Sequence, residues 1–406
     1  MSYSVISIGI LRETKKTTER RVALTPWQIA RFMKENPQVR FVVQPSESRC
    51  FTDEEYRQEG VFLCEDVSGC QLLLGIKEVN PFALIPRKTY AFFAHVAKKQ
   101  PHNQKLLQYV IRKKISLIDY EFITNEQGSR LIAFGRWAGI VGAYNGIRAW
   151  GLRYGSWDVK PAWQCGTYEA LKKELARIRP GKMKILLTGE GRVASGAVEI
   201  MNLLGIRRVE PSEFLTESPE GPVYCQIGPQ HYTRRADGKA FDFHDFVQHP
   251  DAYVSAFMPF MKVTDLLITG HYWDPKSPRL FTREELATGS FRCRIIADIS
   301  CDINGSVPTT IRAASVEEPF YDVDPFTGEE RKAFSHSDNV TVMTVDNLPA
   351  ELPRDASEDF GNALLEHFLP EYLKTHSPLI ERATIVKEGE LTPRFSYLAD
   401  YAGISR

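Results

Sequence analysis

Short apolar runs alternate with longer amphipathic stretches along the first third of the chain. The run at 5–11 predicts a first strand. The helical spacing over 27–34 predicts a helix, with Thr25 as its N-cap and Pro26 at its first position. Further apolar runs predict strands at 39–44, 71–77, 89–95 and 115–121. Strands that alternate with helices are typical of a parallel sheet, so this part of the chain predicts an α/β domain.

A second block of strands and helices follows a long stretch of small and apolar residues. Residues 135–154 predict a long helix between two domains, and 183–205 predict a strand, a glycine turn and an amphipathic helix. The segment 216–245 is rich in turn and polar residues and predicts an excursion from the second domain. Two proline turns and a helix over 346–376 predict that the chain returns to the first domain.

These patterns predict an α/β fold of two Rossmann-like domains, with parallel sheets flanked by helices and a crevice between them. We expect a discontinuous substrate and catalytic domain at 1–135 plus 350–406. The intervening residues, 136–349, are expected to form a dinucleotide-binding domain.

Composition narrows the class of protein without pointing to its chemistry. Among 406 residues, 51 basic side chains balance 51 acidic ones, which argues against a nucleic-acid or anionic-membrane partner. No apolar run reaches the roughly 20 residues of a membrane span. The N-terminal apolar stretch ends at Arg12 and Glu13, unlike a signal peptide. The seven cysteines are odd in number and form no C-x-x-C pair. We therefore expect reduced thiols, no metal site and a cytoplasmic protein.

A glycine turn is the clearest local motif. Gly189, Gly191 and Ala194 form a G-x-G-x-x-A pattern between a predicted strand and a predicted helix. The first glycine permits a tight turn, and the second lets the backbone approach a pyrophosphate at the helix N-terminus. The turn, with Arg192 and Val193, therefore predicts binding of NAD or NADP. A glycine turn that serves packing alone is the alternative.

The choice between NAD and NADP stays open on these residues. Glu210 lies about 20 residues beyond Gly191, where a carboxylate accepts the ribose 2′-hydroxyl and favours NAD. However, the neighbouring Arg207 and Arg208 could pair with the 2′-phosphate of NADP. Glu210 could equally be a solvated acid at the end of a strand.

Two predicted strands deliver a lysine and a histidine to the same edge of the first sheet. Lys77 ends one apolar run and is followed by Glu78, while His95 ends the next run and precedes Lys98. The carboxyl ends of parallel strands face the ligand crevice, where a lysine pKa can fall and a histidine titrates near neutrality. Such a pair suits proton transfer at an amine. A solvated lysine and a core histidine are the alternatives.

Charged residues near a third strand could recognise carboxylates. Glu121 follows the apolar run at 115–121, and we consider Arg21 and Arg130 as carboxylate clamps because guanidinium groups bind carboxylates through two hydrogen bonds. For either arginine, a surface ion pair is the alternative.

Several motifs together resemble one enzyme family. L-R-E-T-K and R-R-V-A-L-T-P near the N-terminus are similar to a signature shared by alanine dehydrogenase, the transhydrogenase N-domain and saccharopine dehydrogenase. Four internal motifs resemble those of the lysine-forming saccharopine dehydrogenases. They are most similar to the lysine–ketoglutarate reductase portion of bifunctional lysine-degrading enzymes. These motifs are G-I-K-E at 75–78, F-F-A-H-V-A-K at 92–98, D-Y-E-F at 119–122 and A-F-G-R-W-A-G at 133–139. Asp298-Ile-Ser and residues 346–357 extend the resemblance.

The resemblance implies a reversible reaction in which saccharopine, NAD(P)+ and water give lysine, 2-oxoglutarate and NAD(P)H. It implies that Lys77 takes the proton from the secondary amine, and that His95 serves water addition and carbinolamine collapse. The other implied assignments are Glu78, Lys98 and Glu121 as charge-tuning groups, Arg21 and Arg130 as holders of substrate carboxylates, and Asp298 as a cofactor contact.

Two other functions fit the same motifs. An alanine dehydrogenase-like enzyme would share the fold but bind a small keto acid and ammonia. A catalytically silent NAD(P)-binding regulatory protein would not need the intact pair of Lys77 and His95. On the favoured hypothesis the partners are small molecules, namely lysine, 2-oxoglutarate and saccharopine, and assembly into a homo-oligomer is left open.

Overall fold

The computed structural model describes residues 5–14 and 19–404. They form two compact units. Unit 1 takes the described residues up to Phe134 and from Pro353 onward, and unit 2 runs from Gly135 to Leu352. Each unit contains a large sheet in which most neighbouring strands are parallel. The predicted α/β class with two parallel-dominated sheets is therefore confirmed.

The strands are numbered in chain order. They are β1 Ile6–Ile10, β2 Val39–Val43, β3 Phe62–Leu63, β4 Leu72–Leu74, β5 Thr89–Phe92, β6 Ser116–Asp119, β7 Lys184–Thr188, β8 Arg207–Arg208, β9 Val223–Ile227, β10 Thr233–Arg235, β11 Tyr253–Ser255, β12 Leu266–Thr269, β13 Ile295–Asp298, β14 Phe320–Val323, β15 Glu330–Arg331, β16 Val340–Met343, β17 Thr384–Lys387 and β18 Glu390–Leu391.

The α-helices follow the same order. They are α1 Pro26–Glu35, α2 Asp53–Gln58, α3 Gln104–Arg112, α4 Gly135–Tyr154, α5 Ala162–Cys165, α6 Tyr168–Leu175, α7 Arg192–Leu203, α8 Pro211–Thr216, α9 Pro229–Tyr232, α10 Phe243–Gln248, α11 Met258–Met261, α12 Arg283–Leu286, α13 Pro353–Ala363, α14 Leu369–Tyr372, α15 Pro378–Ala383 and α16 Ala399–Ala402. Between α13 and α14 the chain forms a π-helical turn at Leu364–Phe368. None of the described helices is long and apolar enough to cross a membrane.

The sheet of unit 1 has the strand order β18-β17-β6-β5-β4-β1-β2-β3. The strands from β6 to β3 are parallel, and β17 and β18 add antiparallel strands at one edge. Phe360 and Leu364 of the returning chain belong to the same buried core as Ile29 of α1. The C-terminal segment is therefore an integral part of unit 1.

The predicted start of α1 is confirmed in detail. The Thr25 hydroxyl accepts a hydrogen bond from the Gln28 backbone N–H, and the Gln28 side chain accepts one from the Thr25 backbone N–H. This reciprocal capping satisfies two amides that the first helical turn leaves without partners. Pro26 occupies the first helical position, where its missing N–H costs nothing.

Two predicted strands end earlier than the apolar runs suggested. β4 stops at Leu74 and β5 at Phe92, so Lys77 and His95 lie in the loops that follow. His95 has a φ of 53°, a left-handed conformation that no strand residue adopts. The two residues therefore lie just beyond the carboxyl ends of β4 and β5.

The sheet of unit 2 has the strand order β15-β14-β16-β13-β12-β7-β9-β8. The prediction that 216–245 is an excursion is wrong for its first half, because β9 lies within it and pairs with both β7 and β8. Val223 and Cys225 of β9 are buried, so the short apolar run contributes to the core despite its polar flanks. Residues farther along do leave the sheet, as β10 pairs only with β11 in a separate ribbon.

Helices α4 and α7 pack with their backbones in close contact. A Cβ atom on Gly139 would lie 1.9 Å from the Val193 carbonyl oxygen, and one on Gly196 would lie 2.0 Å from the Arg136 carbonyl oxygen. Glycine at both positions lets the two helices approach at a distance that any side chain would prevent. This contact fixes α7, whose N-terminus follows the glycine turn.

Candidate active site

The carboxyl ends of four neighbouring strands in unit 1 carry a cluster of charged side chains. The strands β6, β5, β4 and β1 are adjacent and parallel, so the residues that follow them lie at one edge of the sheet. The cluster contains Glu13 after β1, Lys77 and Glu78 after β4, His95 and Lys98 after β5, and Asp119 and Glu121 at the end of β6. Because these strands are parallel neighbours, the residues that follow them are expected to lie together at this edge.

His95 and Glu78 form a hydrogen-bonded pair. The imidazole Nδ1 lies 2.9 Å from Glu78 Oε1. Because an ionised carboxylate can only accept, Nδ1–H donates, and this tautomer leaves the lone pair on Nε2. The His95 side chain is 26% exposed and the Glu78 side chain 6%, so the imidazole is the more accessible partner. Asn103 Nδ2 donates to the same Glu78 oxygen at 3.3 Å.

Glu121 is contacted by two cations from different loops. Lys98 Nζ lies 3.4 Å and Arg130 Nη2 lies 3.2 Å from Glu121 Oε1. The carboxylate is 7% exposed, whereas both cationic side chains are about half exposed. The arrangement places two solvent-accessible positive charges on one buried negative charge, so these three side chains together carry a net positive charge.

Arg21 is buried and forms an ion pair within the protein. Its Nε and Nη2 donate to the two carboxylate oxygens of Glu19 at 2.8 and 2.7 Å, and its guanidinium lies 4.1 Å from the centre of the Phe134 ring. Arg21 is 2% exposed. The sequence suggested a clamp for substrate carboxylates, but the structure shows a buried pair with Glu19, a residue that sequence reasoning missed.

Two carboxylates missed by sequence reasoning complete the cluster. Glu13 accepts hydrogen bonds from the backbone N–H groups of Ile76 and Lys77 at 2.6 and 3.0 Å, so it ties the loop of Lys77 to the end of β1. Asp119 is fully buried and accepts from the backbone N–H groups of Ala94 and Glu121 at 3.2 and 2.9 Å. Glu13 comes two residues after the apolar run at 5–11, and Asp119 lies within the run at 115–121, which was the available signal.

These two carboxylates are poised to hold protons near neutral pH. Burial raises the pKa of Glu13 to about 7, against the opposing effect of its backbone hydrogen bonds. Burial also raises the pKa of Asp119 to about 7, with the charge of Glu121 adding to the rise and His95 opposing it. Acids shifted in this way cluster at functional sites, because proton transfer needs groups that titrate near working pH.

The glycine turn of unit 2 fits a dinucleotide pyrophosphate. Gly189 has a φ of 96°, and a Cβ there would lie 2.6 Å from the Gly270 carbonyl oxygen, so only glycine makes this turn. A Cβ on Gly191 would meet nothing within 4 Å, which leaves open space in front of the helix. Gly191 is the N-cap of α7 and supplies no side-chain hydrogen bond to its amides. Arg192 and Val193 begin the helix, and Ala194 is fully buried.

Asp298 is the centre of a buried network of hydroxyl groups. Thr269 Oγ1 and Ser300 Oγ donate to its Oδ1 at 2.5 and 2.6 Å, and Thr310 Oγ1 donates to its Oδ2 at 2.5 Å. Asp298 is 1% exposed. With its oxygens engaged in this way, Asp298 holds the carboxyl ends of β12 and β13 together.

His271 lies in the same region and was missed by sequence reasoning. Its Nδ1 is 2.7 Å from Thr188 Oγ1 at the end of β7, and its Nε2 is 3.1 Å from Ser306 Oγ. Burial lowers the pKa of His271 to about 4, so its imidazole is neutral at neutral pH. The sequence offered no signal beyond its position after a buried strand.

Glu210 does not follow the strand that neighbours β7 and its glycine turn. It follows β8 and is exposed, and β9 separates β8 from β7. The residue at the carboxyl end of the adjacent strand is instead Gly228, where a Cβ would lie 2.7 Å from Glu190 Oε2. The insertion of β9 therefore brings a different part of the chain beside the turn.

Comparison with known proteins agrees with the motifs. Residues 9–141 match the family model described as alanine dehydrogenase/PNT, N-terminal domain, so this segment of the chain is similar to that family. It is 31% identical to the mitochondrial alpha-aminoadipic semialdehyde synthase of Rattus norvegicus over 96% of this chain and 47% of the rat protein. The chain thus spans about half the length of that relative.

Two further relatives match along nearly their whole length. The saccharopine dehydrogenase [NAD(+), L-lysine-forming] of Neurospora crassa is 26% identical over 92% of this chain and 93% of the fungal protein. A solved structure of L-alanine dehydrogenase superimposes with a TM-score of 0.66 at 18% identity, covering 98% of this chain and 100% of that one, which establishes the shared fold. The resemblance predicted from the motifs is confirmed.

Proposed function

We propose that the chain is an NAD(P)-dependent oxidoreductase that interconverts saccharopine, NAD(P)+ and water with lysine, 2-oxoglutarate and NAD(P)H. The similarity to a lysine-forming saccharopine dehydrogenase along nearly its whole length supports this substrate class. The observation that carries the proposal is the hydrogen-bonded pair of His95 and Glu78 beside the loop of Lys77. These groups follow neighbouring strands and can serve one sequence of proton transfers.

Lys77 and His95 are the proposed acid–base residues. Oxidation of a secondary amine requires the nitrogen lone pair, so the ammonium form must first lose a proton, which Lys77 would accept. His95 would then take a proton from water as it adds to the imine carbon, and return one to the departing amine. The Nδ1–H bond to Glu78 supports this role because it leaves Nε2 available as the base.

Lys98 and Arg130 are the proposed binding groups for substrate carboxylates. Both cations are about half exposed and both contact the buried Glu121, which holds their heads at one place. Glu121 lowers the net charge of the site and so limits the affinity for anions. Arg21 would act indirectly, since its pair with Glu19 and its stacking on Phe134 hold the chain after β1.

The dinucleotide would be held by the glycine turn of unit 2. When bound, its nicotinamide supplies the hydride chemistry that no side chain can. Gly189 and Gly191 would let the backbone approach the pyrophosphate, and the N-terminus of α7 would stabilise its charge. Asp298, through Thr269 and Ser300, would keep the strand ends beside the turn in place. The choice between NAD and NADP, the cytoplasmic location and any homo-oligomer remain predictions.

An initial-rate assay with lysine and 2-oxoglutarate, run separately with NADH and NADPH, tests the proposal. We expect oxidation of one reduced cofactor that depends on both substrates. Pyruvate with ammonia is the matched control, because it replaces the long amino donor with a small one. Turnover of pyruvate and ammonia alone would support an alanine dehydrogenase-like enzyme, and cofactor binding without any turnover would support a regulatory protein.

A further inference from the structure

Unit 1 contains a cavity on the sheet face formed by β5, β6 and β17. Thr89, Ser116 and Ile118 form its floor, and the chain at 371–382 and 392–394 forms its walls. Its volume is about 660 Å³, within the range of roughly 300–1,000 Å³ that small-molecule sites occupy. Neither the proposed reaction nor the glycine turn uses it.

The lining of this cavity carries more positive charge than its acidic residues balance. Glu371 is paired with Lys374 and accepts from Ser377 Oγ at 2.6 Å, and Glu381 lies 2.9 Å from His376. Both acidic side chains of the lining are thereby engaged.

Three further cations line the same cavity: Arg382, Lys387 and Arg394. None of them has an acidic partner within ion-pair distance in the part of the chain that the structure describes. Cations gathered without counter-charges attract anions.

Arg382 provides independent support, because one of its buried hydrogen-bond donors lacks an acceptor in the described part of the chain. Its Nη2 donates to the Thr124 carbonyl oxygen at 3.0 Å, which fixes the guanidinium. Its Nε is buried and finds no acceptor among residues 5–14 and 19–404. A buried donor without an acceptor costs free energy, so its presence calls for a partner that the protein itself does not supply.

Apolar side chains line the cavity beside the three cations. Tyr372, Ile380 and Ile118 offer a surface for a hydrocarbon or aromatic body. Arg394 is held over the rings of Phe122 and Phe395, at 5.3 and 5.6 Å, and donates to the Arg382 carbonyl oxygen at 3.0 Å. These contacts fix the Arg394 side chain beside the backbone of Arg382.

The cavity is separate from the candidate active site. Thr89 and Ser116 are the first residues of β5 and β6, whereas His95 and Glu121 follow the opposite ends of these strands. A strand of four residues spans about 13 Å, so the floor of the cavity and the acid–base cluster lie at opposite ends of the same strands.

We propose that this cavity binds a small organic anion, with a carboxylate or phosphate held by Arg382, Lys387 and Arg394 and an apolar body against Tyr372 and Ile380. The site goes beyond the proposed reaction and does not depend on it. Carboxylates and phosphates share the oxyanion geometry that guanidinium groups recognise.

Titrations of the full chain with benzoate and with phenyl phosphate, followed by ligand-observed NMR, test the proposal. We expect one or both to bind, and the stronger probe identifies the preferred anionic group. Lys387→Gln and Arg394→Gln should each raise the Kd about tenfold, the scale of one lost charged contact. These two positions are exposed, so their variants are expected to fold.

Three controls locate the binding. Lys105→Gln removes an equally exposed lysine from α3 outside the cavity and should leave the Kd unchanged. Arg130→Gln should also leave it unchanged, which excludes binding at the candidate active site. Benzamide, which lacks the charge, should bind far more weakly than benzoate. The proposal is overturned if neither anion binds, if benzamide binds as well as benzoate, or if Kd responds to Arg130→Gln and not to the cavity variants.

Discussion

The carboxyl edges of the two large sheets carry different chemistry on similar topology. In unit 1 the edge collects carboxylates such as Glu78 and Asp119 beside His95 and two exposed cations. In unit 2 the edge collects glycines, hydroxyl groups and the neutral His271 around the buried carboxylate of Asp298. The first edge gathers groups suited to the proposed proton transfer, and the second presents backbone amides and neutral side chains.

A shared topology therefore does not by itself assign a role to the residues at the strand ends. Both sheets bring residues together at the carboxyl ends of parallel strands, as such sheets generally do. What differs is whether those residues titrate near neutral pH. Substitutions at one group on each edge test this difference.

Replacing Lys77 or His95 should have the largest effect. Lys77→Met and His95→Gln are each expected to lower kcat by about 10²-fold or more, the scale of one lost acid–base group. Substrate Kd should change much less, because neither group is proposed to bind the substrate carboxylates. Steady-state rates and substrate titrations measure the two quantities separately.

Lys105→Gln serves as the control, since Lys105 is an exposed lysine of α3 that is proposed neither as an acid–base group nor as a binding group. The double variant of Lys77 and His95 should lose less than the product of the single losses, because both serve one proton-transfer sequence. If both single variants keep kcat within about threefold, the acid–base assignment is wrong even though the fold stands.

Gly196→Ala should strongly destabilise unit 2, although it adds only a methyl group. The added methyl group would meet the Arg136 carbonyl oxygen at 2.0 Å, so α7 must move away from α4. We expect a loss of about 3 kcal/mol in the free energy of unfolding, the upper scale of overpacking. Urea unfolding measures it, and Gly181→Ala, where a Cβ meets nothing within 4 Å, is the matched control.

Gly191→Val should weaken cofactor binding without weakening the fold. Its side chain would enter open space in front of α7, where the pyrophosphate is proposed to lie. We expect the dinucleotide Kd to rise at least about tenfold, equivalent to about 1.4 kcal/mol, with no fall in Tm. Fluorescence titration and thermal unfolding give both values.

Gly189→Ala provides the contrast for that variant. Its φ of 96° and its approach to Gly270 predict a lower Tm together with weaker binding. Unchanged dinucleotide affinity in Gly191→Val would remove the glycine turn from the cofactor site.

Asp119→Asn should give the smallest effect, visible as a change in pH dependence. The folded pKa of Asp119 is raised above its unfolded value, so the folded state binds more protons between about pH 4 and about pH 7. Stability from this group is therefore present at low pH and is lost as the pH rises through that window. The variant has no titrating carboxyl group at this position, so its free energy of unfolding should fall less steeply as the pH rises.

Urea unfolding at several pH values across that window measures the slopes. Glu47→Gln, which removes an exposed carboxylate from unit 1, should keep the wild-type slope. Equal slopes in wild type and Asp119→Asn would mean that Asp119 is ionised throughout and that its burial does not hold a proton.

The sequence by itself determined much of the local structure and the identity of the proton-transfer candidates. Helical spacing and the Thr25-Pro26 pair located the start of α1, and apolar runs located β4, β5 and β6. Parallel strands then required Lys77 and His95 to lie at one edge. Local propensity and periodicity are sufficient for such predictions because they act over a few residues.

Only the tertiary structure decided which charges are paired and which strands are neighbours. The Glu19 partner of Arg21 and the insertion of β9 between β7 and β8 left no distinctive pattern in the sequence. The raised pKa values of Glu13 and Asp119 likewise depend on burial by residues distant in the chain. Burial, pairing and strand order are properties of the packed molecule, because each depends on contacts that form between segments far apart in sequence.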